Sequence, residues 1–496
     1  MSTELSQLVW IAPVPWDGIP GTDWQMASAM TRHANVLWVD PPLSVVTPAR
    51  LSGENAGGLT PSLSAPAPGI TRLSTVALPG LTRPGVRATT APLLRAQIRW
   101  ALRRLRVQPS AVVSGYLDDV LGRWGPAVSV LYCTDDHVAG AGLMGLSAPR
   151  LRAQERAALR RSDMVAVVSP TLAEHWAALG ADPVLIPNGC SDASPAPDDQ
   201  AAATGLRRPV LGLVGQLSER IDLDILLALS DAGFELLIVG PCDPRWAPER
   251  FAALAARPGV RYTGRVPPAD VPGYLAAIDI GITPYTSSEF NRASFPLKTL
   301  EYLAAGRPVV SSDLPGARWL HDDLAAADQA PAEIMTLAST PAEFVSAVRR
   351  LAAQPGGGLD PVHPGALDPA QPDGGVAAPP GGAWEVARRD RCQAFARRHS
   401  WARRADALAA AIGLRPAGAA PSPVAGTQPP GADTHQPPGA DTHQPSEADT
   451  HQPSEADTHQ PSEADTHQPP GARSHQPHQP QAALPREPGP DAQIRA

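Results

Sequence analysis

The sequence predicts an α/β protein with two doubly wound domains, each built on a parallel sheet. Short runs of β-branched and aliphatic residues recur along residues 8–187 and again along 210–312, with helical segments between them. Strands that are apolar along their whole length, with helices between them, are typical of a parallel sheet buried on both faces. A polar stretch separates the two series. We therefore expect two Rossmann-like domains that face each other across a cleft.

Eleven runs have the length and composition of buried strands. In the first half they are LVWIA (8–12), VLWVD (36–40), AVVSG (111–115), VSVLY (128–132), MVAVVS (164–169) and PVLIP (183–187). In the second half they are VLGLVG (210–215), ELLIVG (235–240), VRYTG (260–264), DIGITP (279–284) and PVVSS (308–312). This pattern predicts a first domain at 1–190, a linker at 191–208 and a second domain at 209–354.

Three further segments follow the second domain. Residues 355–383 are so rich in Pro and Gly that they predict a disordered insertion, whereas 384–415 recover helical character. Residues 416–496 consist largely of eight-residue repeats such as GADTHQPP, which predict a disordered tail. Seven of the 13 histidines lie in that tail. A weak metal-binding role is one interpretation, and an extension without a ligand is the simpler one.

Composition narrows the class of protein. The formal net charge is −8, so no overall basic surface is present to meet nucleic acid. The four cysteines include no CxxC pair, which favours free thiols in a reducing compartment. The N-terminal segment has no basic region before an apolar core, and no uncharged apolar run reaches the roughly 18 residues of a spanning helix. We predict a cytoplasmic protein, at most peripheral at the inner face of the plasma membrane.

Two strand ends of the first domain carry residues that suit a ligand, because open α/β sheets bind ligands at the carboxyl ends of their strands. Gly18 and Gly21 follow the first strand and allow a close backbone approach at a helix N-terminus. Asp135, Asp136 and His137 follow VSVLY and could act as a base or bind a hydroxyl. An ordinary loop at the glycines and helix capping by the aspartates remain open alternatives.

Two strand ends of the second domain carry charges. Arg220 lies between a strand and a helix, where a guanidinium suits a phosphate, although an ion pair with Glu219 or Asp222 is the alternative. In SFPLKTLEYLAAGRPVV a helix is predicted to begin near Pro296, with its free N–H groups and positive dipole end directed at the cleft. Lys298 adds charge for an anion, and Glu301 can accept from two sugar hydroxyls. A Lys–Glu surface pair at i, i+3 is the alternative.

These stretches carry a family resemblance. GITPYTSSEFNRASFPLKTLEYLAAGRPVVSSDLPG resembles the donor-binding region of GT-B glycosyltransferases of the family 4 type, also called group 1. VAVVSPTLAEHW…PVLIPNGC resembles the end of their first domain, VLGLVGQLSERID the start of the second, and FARRHSWARRADAL the closing helix that packs back across both. The resemblance covers roughly residues 8–350 and 384–413. The order and spacing of these motifs are specific to the family and not to one sugar, and the SFPLK…EYLAAG pattern resembles a subgroup associated with cell-envelope and exported polysaccharides, including teichuronic-acid-type transferases.

The resemblance implies a nucleotide-diphospho-sugar donor held mainly by the second domain. Glu301 matches the glutamate that binds the ribose hydroxyls, and Arg220 approximately matches the basic residue that meets the diphosphate. The donor site predicted in this way comprises Gly21, Arg220, Ser294, Phe295, Leu297, Lys298 and Glu301. The chain departs from the family pattern at Ala293, where a first glutamate is common, and at Gln216, where a basic residue is usual. Asn291, Arg292 or Ser294 could bind the sugar hydroxyls that an alanine cannot bind.

The resemblance also implies transfer with retention of configuration and without a metal or other cofactor, since basic side chains and a helix N-terminus neutralise the diphosphate. It puts the acceptor in the first domain, which makes Asp136 and His137 the catalytic or acceptor-side candidates. The predicted enzyme is a hexosyltransferase-like glycosyltransferase with a polysaccharide or lipid-linked acceptor. An epimerase or phosphorylase on the same scaffold is a weaker interpretation. A degenerate binding or scaffold protein of the same fold is the alternative from a different class.

One helix suggests a membrane contact. APLLRAQIRWALRRLRVQPS (91–110) predicts a helix with one apolar face and a flanking stripe at Arg95, Arg99, Arg103 and Arg106. Such a stripe suits an anionic membrane surface that carries a lipid-linked acceptor, over residues 91–106. A core-packed helix with a solvated basic side is at least as consistent with the pattern.

Overall fold

The computed structural model of the protein describes residues 6–18, 20–44, 60–80, 83–191, 204–353 and 381–414. The predicted repeat tail lies outside these residues. The predicted Pro/Gly insertion also lies outside them, apart from its last three residues, which begin a helix. Most of the predicted linker is likewise outside the described part of the chain.

The first domain is built on an eight-stranded sheet in the order β10-β9-β8-β7-β1-β2-β5-β4. Its neighbouring strands are parallel except for the β4–β5 pair at one edge. A separate parallel pair joins β3 to β6. The strands are β1 (Ser6–Ile11), β2 (Ala34–Val39), β3 (Leu43–Ser44), β4 (Ser62–Ala67), β5 (Ile70–Ser74), β6 (Val76–Ala77), β7 (Ala111–Ser114), β8 (Val128–Cys133), β9 (Met164–Val167) and β10 (Pro183–Leu185). The helices are α1 (Thr22–Met30), α2 (Pro84–Leu105), α3 (Ala148–Leu159) and α4 (Pro170–Ala178).

The second domain has a six-stranded, entirely parallel sheet in the order β13-β12-β11-β14-β15-β16. The strands are β11 (Val210–Val214), β12 (Glu235–Val239), β13 (Val260–Tyr262), β14 (Ile280–Thr283), β15 (Val309–Ser312) and β16 (Met335–Ala338). The helices are α5 (Leu223–Asp231), α6 (Pro248–Ala255), α7 (Val271–Ala276), α8 (Glu289–Ala293), α9 (Leu297–Ala304), α10 (Pro315–Ala327) and α11 (Pro341–Ala352), with 3₁₀ turns at Pro268–Asp270 and Pro331–Glu333. The predicted class, two doubly wound α/β domains, is confirmed.

Two C-terminal helices join the domains. These are α12 (Gly381–Arg398), which packs on α9, and α13 (Trp401–Ala411), which packs on α1. Between them the chain pairs with the end of the first domain: the backbone N–H of Cys190 donates to the carbonyl of His399 at 3.0 Å, and that of Trp401 donates to Cys190 at 3.0 Å. Gly189 is required there, because an added Cβ would lie 2.7 Å from the Trp401 nitrogen. The chain therefore crosses from the second domain back to the first.

The helix predicted at 91–110 is α2, which begins earlier and ends at Leu105. Its apolar face is buried, as Leu94, Ile98 and Ala101 show. Two residues of the predicted basic stripe are engaged within the domain. Arg95 forms an ion pair with Asp119 at 2.9 Å, and the Arg99 guanidinium carbon lies 5.2 Å from the centre of the Trp124 ring. The packed-helix interpretation accounts for these two arginines. Membrane contact through this helix stays a prediction.

Candidate active site

A cavity of about 510 Å³ lies between the two domains, at the carboxyl ends of both sheets. The first domain contributes residues that follow β1, β8 and β10, namely Thr22, Thr134, Asp135, Leu143 and Asn188. The second contributes residues at the ends of β11, β14 and β15 and at the start of α9, including Gly215, Gln216, Arg220, Tyr285, Ser294, Phe295, Leu297, Lys298 and Ser311. This is the position at which open α/β sheets bind ligands.

The wall of the cavity at β11 depends on two glycines. Gly240, which follows β12, has φ +135° and lies so close to the β11 loop that an added Cβ would be 1.9 Å from the carbonyl oxygen of Gly215. Gly215 itself has φ +154° and faces the Lys298 side chain. A side chain at Gly240 would therefore displace the backbone that lines the cavity.

Arg220 is held in place by neutral groups. Its Nε donates to Asn291 Oδ1 at 2.8 Å and its Nη2 donates to Ser294 Oγ at 3.2 Å. Its guanidinium carbon lies 4.9 Å from the centre of the Phe290 ring and 5.6 Å from that of Tyr285. These contacts fix the direction of the Arg220 guanidinium group without neutralising its charge. The group therefore remains suited to binding a phosphate.

The ion pairs that were the alternative for Arg220 do not form. Asp222 caps α5, since its carboxylate accepts from the N–H groups of Asp224 and Ile225. Among the residues that the structure describes, no carboxylate oxygen lies within 4.0 Å of the Arg220 guanidinium. The positive charge therefore has no anionic partner in the described part of the chain.

Asn291 anchors the loop behind Arg220. It is 2% exposed, and its amide donates to the carbonyl oxygens of Arg220 and Thr286, both at 2.9 Å. Of the three candidates for replacement contacts near position 293, Asn291 and Ser294 line the cavity, whereas Arg292 is exposed and does not. Ala293 is buried, and its carbonyl accepts from the Ser169 hydroxyl of the first domain. Position 293 thus lies in the contact between the domains.

Helix α9 begins at Leu297, one residue after Pro296, and Leu297 and Lys298 at its start line the cavity. Lys298 Nζ donates to Glu301 Oε2 at 2.7 Å, and each of these two side chains is 30% exposed. Burial disfavours the charge on Lys298, but the Glu301 carboxylate outweighs it and raises the Lys298 pKa. The i, i+3 pair that was the alternative is therefore present. Glu301 does not line the cavity itself.

Helix α9 is fixed to the sheet by Tyr302, which is fully buried. The backbone N–H of Val214, at the end of β11, donates to the Tyr302 hydroxyl at 2.7 Å. Gly281 on β14 makes room for the ring, since an added Cβ would lie 2.4 Å from it. The sequence pattern predicts Leu297, Leu300 and Ala304 as the buried stripe, but only Leu300 among them is fully buried.

The side chain of Tyr285 lies close to three charged residues of the site. Burial raises the pKa of its phenol, and the charges of Arg220, Lys298 and Glu301 all act on the same group. The two cations oppose that rise, whereas the carboxylate adds to it. Residues 220 and 298–301, which are far apart in sequence, therefore lie around one half-buried ring.

On the first-domain side, three neighbouring candidates follow β8, and they differ in whether they face the cavity. Asp136 Oδ1 accepts from the backbone N–H groups of Val138 at 3.0 Å and Ala139 at 2.8 Å, so it caps the turn that follows, whereas the alternative left open by the sequence was capping of a helix. Neither Asp136 nor His137 is among the residues that line the cavity, whereas Asp135 is. The carboxylate that faces the cavity after β8 is that of Asp135.

The loop after β1 places Thr22 at the cavity and Gly21 just before it, as the residue that precedes α1. The next residue, Asp23, is 6% exposed, and its Oδ1 accepts from the indole N–H of Trp10 at 3.0 Å. Burial raises the pKa of Asp23 to about 6, and the charge of Asp135 adds to the effect. Sequence reasoning missed Asp23, because an acid in the first turn of a helix is ordinary there.

Three further observations concern the described residues only. Asn188 is 6% exposed and lines the cavity, and its Oδ1 has no hydrogen-bond partner among them. No group of three or more His, Cys, Asp or Glu side chains is arranged there to hold a metal ion. None of the helices in this part of the chain has the length and apolarity needed to span a bilayer.

Comparison with known proteins identifies the second domain. Residues 208–354 match the family described as glycosyl transferases group 1. The second domain is similar to this family over its whole length. Over 119 residues the chain is 40% identical to a protein of Bacillus subtilis (strain 168) named for teichuronic acid biosynthesis, the glycosyltransferase TuaH. The matched stretch is 24% of this chain and spans 30% of that relative's length.

Several solved structures share the fold of this chain. Sucrose-phosphate synthase from Thermosynechococcus elongatus aligns with a TM-score of 0.56 at 17% identity, over 82% of this chain and 98% of that one. HepE of Anabaena, in complex with UDP and glucose, aligns with a TM-score of 0.54 at 15% identity, over 82% of this chain and 99% of that one. WaaG, a glycosyltransferase involved in lipopolysaccharide biosynthesis, aligns with a TM-score of 0.52 at 13% identity, over 82% of this chain and 99% of that one. The fold of this chain is GT-B.

The cavity brings together most of the predicted donor residues. Those that line it are Arg220, Ser294, Phe295, Leu297 and Lys298. Glu301 adjoins it through Lys298, and Gly21 adjoins it through Thr22. Residues that the sequence did not single out also line it, among them Tyr285, Asn188 and the ion-paired Asp243 and Arg245.

Proposed function

We propose that the protein is a glycosyltransferase that moves a sugar from a nucleotide-diphospho-sugar to a glycan or lipid-linked acceptor in cell-envelope or exported-polysaccharide synthesis. The observation that carries this proposal is Arg220, whose charge is directed at the cavity by Asn291 and Ser294 and has no described anionic partner. The similarity to the group 1 family and the relative named for teichuronic acid biosynthesis support the same activity. A cytoplasmic location, with access to the inner face of the membrane, belongs to this proposal.

The donor's diphosphate would lie against Arg220, Lys298 and the N-terminus of α9, where the N–H groups of Leu297 and Thr299 already donate to the carbonyls of Phe295 and Pro296. A helix N-terminus and fixed cations favour the negative charge that develops on a departing diphosphate. We propose that these groups neutralise it without a metal and that transfer proceeds with retention. The UDP bound in the HepE structures supports a nucleoside diphosphate as the ligand class.

Glu301 is proposed to accept from the ribose hydroxyls. One of its oxygens already accepts from Lys298, so a ribose hydroxyl would share the carboxylate with that ammonium group. A narrower role is that Glu301 only positions Lys298. The two roles differ in one measurable way: a ribose contact affects the free nucleoside, whereas positioning Lys298 affects only ligands with phosphate.

The acceptor would enter from the first-domain side. Asp135 lies on that wall of the cavity, as does Asn188 Oδ1, which has no partner among the described residues. Both are hydrogen-bond acceptors that suit sugar hydroxyls. Catalytic roles for Asp136 and His137 remain proposals. The capping bonds of Asp136 favour Asp135 as the residue to substitute first.

Calorimetry of nucleosides and nucleoside diphosphates tests the site. The wild type should bind one of UDP, GDP and ADP. Arg220→Ala should weaken that binding by at least about tenfold, or 1.4 kcal/mol, and leave the free nucleoside unaffected. Arg292→Ala is the matched control, because Arg292 is a neighbouring arginine that is exposed outside the cavity. Glu301→Gln should weaken both ligands if it contacts ribose.

The opposite pattern would count against the proposal. If no nucleotide binds the wild type, a scaffold protein of the same fold becomes the better interpretation. If Arg220→Ala and Arg292→Ala have equal effects, the diphosphate does not lie at Arg220.

A further inference from the structure

A loop beside the cavity exposes three large apolar side chains in four positions. Leu143, Met144 and Leu146 are 40%, 45% and 49% exposed. They belong to residues 142–147, called the apolar loop below, every residue of which is exposed. Leu143 also lines the cavity, so the loop lies at its mouth on the first-domain side. A cluster of exposed apolar side chains at one place calls for an explanation that a single one does not.

The apolar loop continues directly into α3, whose exposed charges are all positive. Arg152 and Arg156 are exposed on the helix, and Arg160, also exposed, follows it in the same i, i+4, i+8 row. Arg150 is exposed in the first turn. The one acid of the helix, Glu155, is 2% exposed and contacts His175 at 3.4 Å.

None of these four arginines is neutralised by a carboxylate in the part of the chain that the structure describes. The apolar loop is therefore followed by a helix whose exposed face carries positive charge without a described anionic partner. The combination is unusual for a chain of net charge −8.

One carboxylate links helix α2 to the end of α3. The carboxylate of Asp119 contacts Arg95 of α2 at 2.9 Å and Arg161, just after α3, at 3.3 Å. Helix α2 also carries exposed side chains, Arg103 and Trp100, the latter 37% exposed. The two helices that Asp119 links therefore both carry exposed arginines.

We propose that the apolar loop and the arginines of α3 dock the protein on an anionic lipid bilayer. Leu143, Met144 and Leu146 would enter the interface between headgroups and acyl chains, and the arginines would contact the headgroups. Apolar insertion and electrostatic attraction together are what hold peripheral proteins at such surfaces.

The docked orientation deepens the proposed function and rests on it. Because Leu143 is shared by the loop and the cavity, docking brings the mouth of the cavity to the membrane. A sugar acceptor presented there would be linked to a lipid. The apolar loop, which the sequence pattern did not single out, rather than α2, would then be the primary membrane contact.

Co-sedimentation of the full chain with vesicles tests this proposal. Wild type should bind vesicles of equal parts phosphatidylglycerol and phosphatidylcholine, bind pure phosphatidylcholine far less, and lose binding as salt rises. Met144→Ser with Leu146→Ser, two exposed residues that do not line the cavity, should weaken binding by at least about tenfold. Arg152→Glu with Arg156→Glu should weaken it to a similar extent, by about tenfold or more.

Two control variants make similar changes at exposed residues outside the proposed docking surface. Arg349→Glu with Arg350→Glu makes the same charge change at exposed residues of α11, and Val386→Ser removes an apolar side chain that is 56% exposed on α12. Both should bind vesicles as wild type does. Nucleoside diphosphate affinity, measured on every variant, reports the donor site separately, so loss of vesicle binding with intact nucleotide binding concerns the docking surface alone.

Three results would overturn the proposal. The first is a wild-type protein that does not bind anionic vesicles. The second is vesicle binding that the apolar-loop and α3 variants retain but that Arg99→Glu with Arg103→Glu on α2 abolishes. The third is apolar-loop variants that bind vesicles normally and change only nucleotide affinity, which would make the loop a cover for the cleft.

Discussion

Gly240→Ala is expected to destabilise the second domain by at least about 3 kcal/mol. The new Cβ would lie 1.9 Å from the carbonyl oxygen of Gly215, and φ at Gly240 is +135°, which side chains disfavour. The backbone cannot easily yield, because Gly215 N–H donates to Val239 and Gly240 N–H donates to Gly264, both at 2.9 Å. Denaturant unfolding and nucleotide binding both measure the effect, and we expect binding to be lost with the loop geometry.

Gly233→Ala is the matched control. Gly233 also has a positive φ, of +85°, but no atom lies within 4 Å of its added Cβ. The expected cost is the backbone strain alone, about 1–2 kcal/mol. Equal destabilisation by the two substitutions would show that the close approach of the β11 and β12 loops has no energetic consequence.

Asp23→Asn is expected to stabilise the protein by about 3 kcal/mol at pH 7 and by almost nothing at pH 4. Burial raises the pKa of Asp23 from 3.8 to about 6, so the folded state holds the proton more tightly than the unfolded chain does. Stability is therefore lost as pH rises through the window from about 4 to 6, and the loss is nearly complete at pH 7. Asparagine keeps an acceptor for the Trp10 indole but has no charge to bury.

Unfolding free energies of the two proteins, measured side by side from pH 4 to pH 8, check this expectation. The comparison with the variant is needed because His399 changes the stability of both proteins with pH, in the direction opposite to Asp23. Burial lowers the His399 pKa to about 4, so its contribution is lost as pH falls from about 6.5. A stability gain in Asp23→Asn that is the same at every pH would contradict the burial argument for Asp23.

The fold was predictable because buried strands are long apolar runs. The strands that sequence reasoning missed lack that pattern. β4 is SLSAPA, an antiparallel edge strand with a proline and small residues, and β16 is the four-residue MTLA. An edge strand is solvated on one side and has no need of a continuous apolar run.

Site residues were predictable where a charged side chain closely follows a strand. They were harder to predict where a residue depends on contacts from elements distant in sequence. Arg220 and Lys298 carry charges at such ends, and both line the cavity. The buried face of α9 was harder to predict, because Tyr302 is accommodated by Gly281 on another strand. The choice between Asp135 and Asp136 depends on which carboxylate caps the next turn, and adjacent sequence positions do not reveal it.

The most direct test of the central claim is sugar transfer by the full-length protein. Labelled nucleotide-sugars are incubated with the protein and membranes, and label is counted in the lipid and polymer fractions. We expect transfer from at least one donor, a fall of at least about 100-fold in Arg220→Ala, and wild-type transfer by Arg292→Ala. Transfer that is equal in wild type and Arg220→Ala, or no transfer from any nucleotide-sugar, would contradict the assignment.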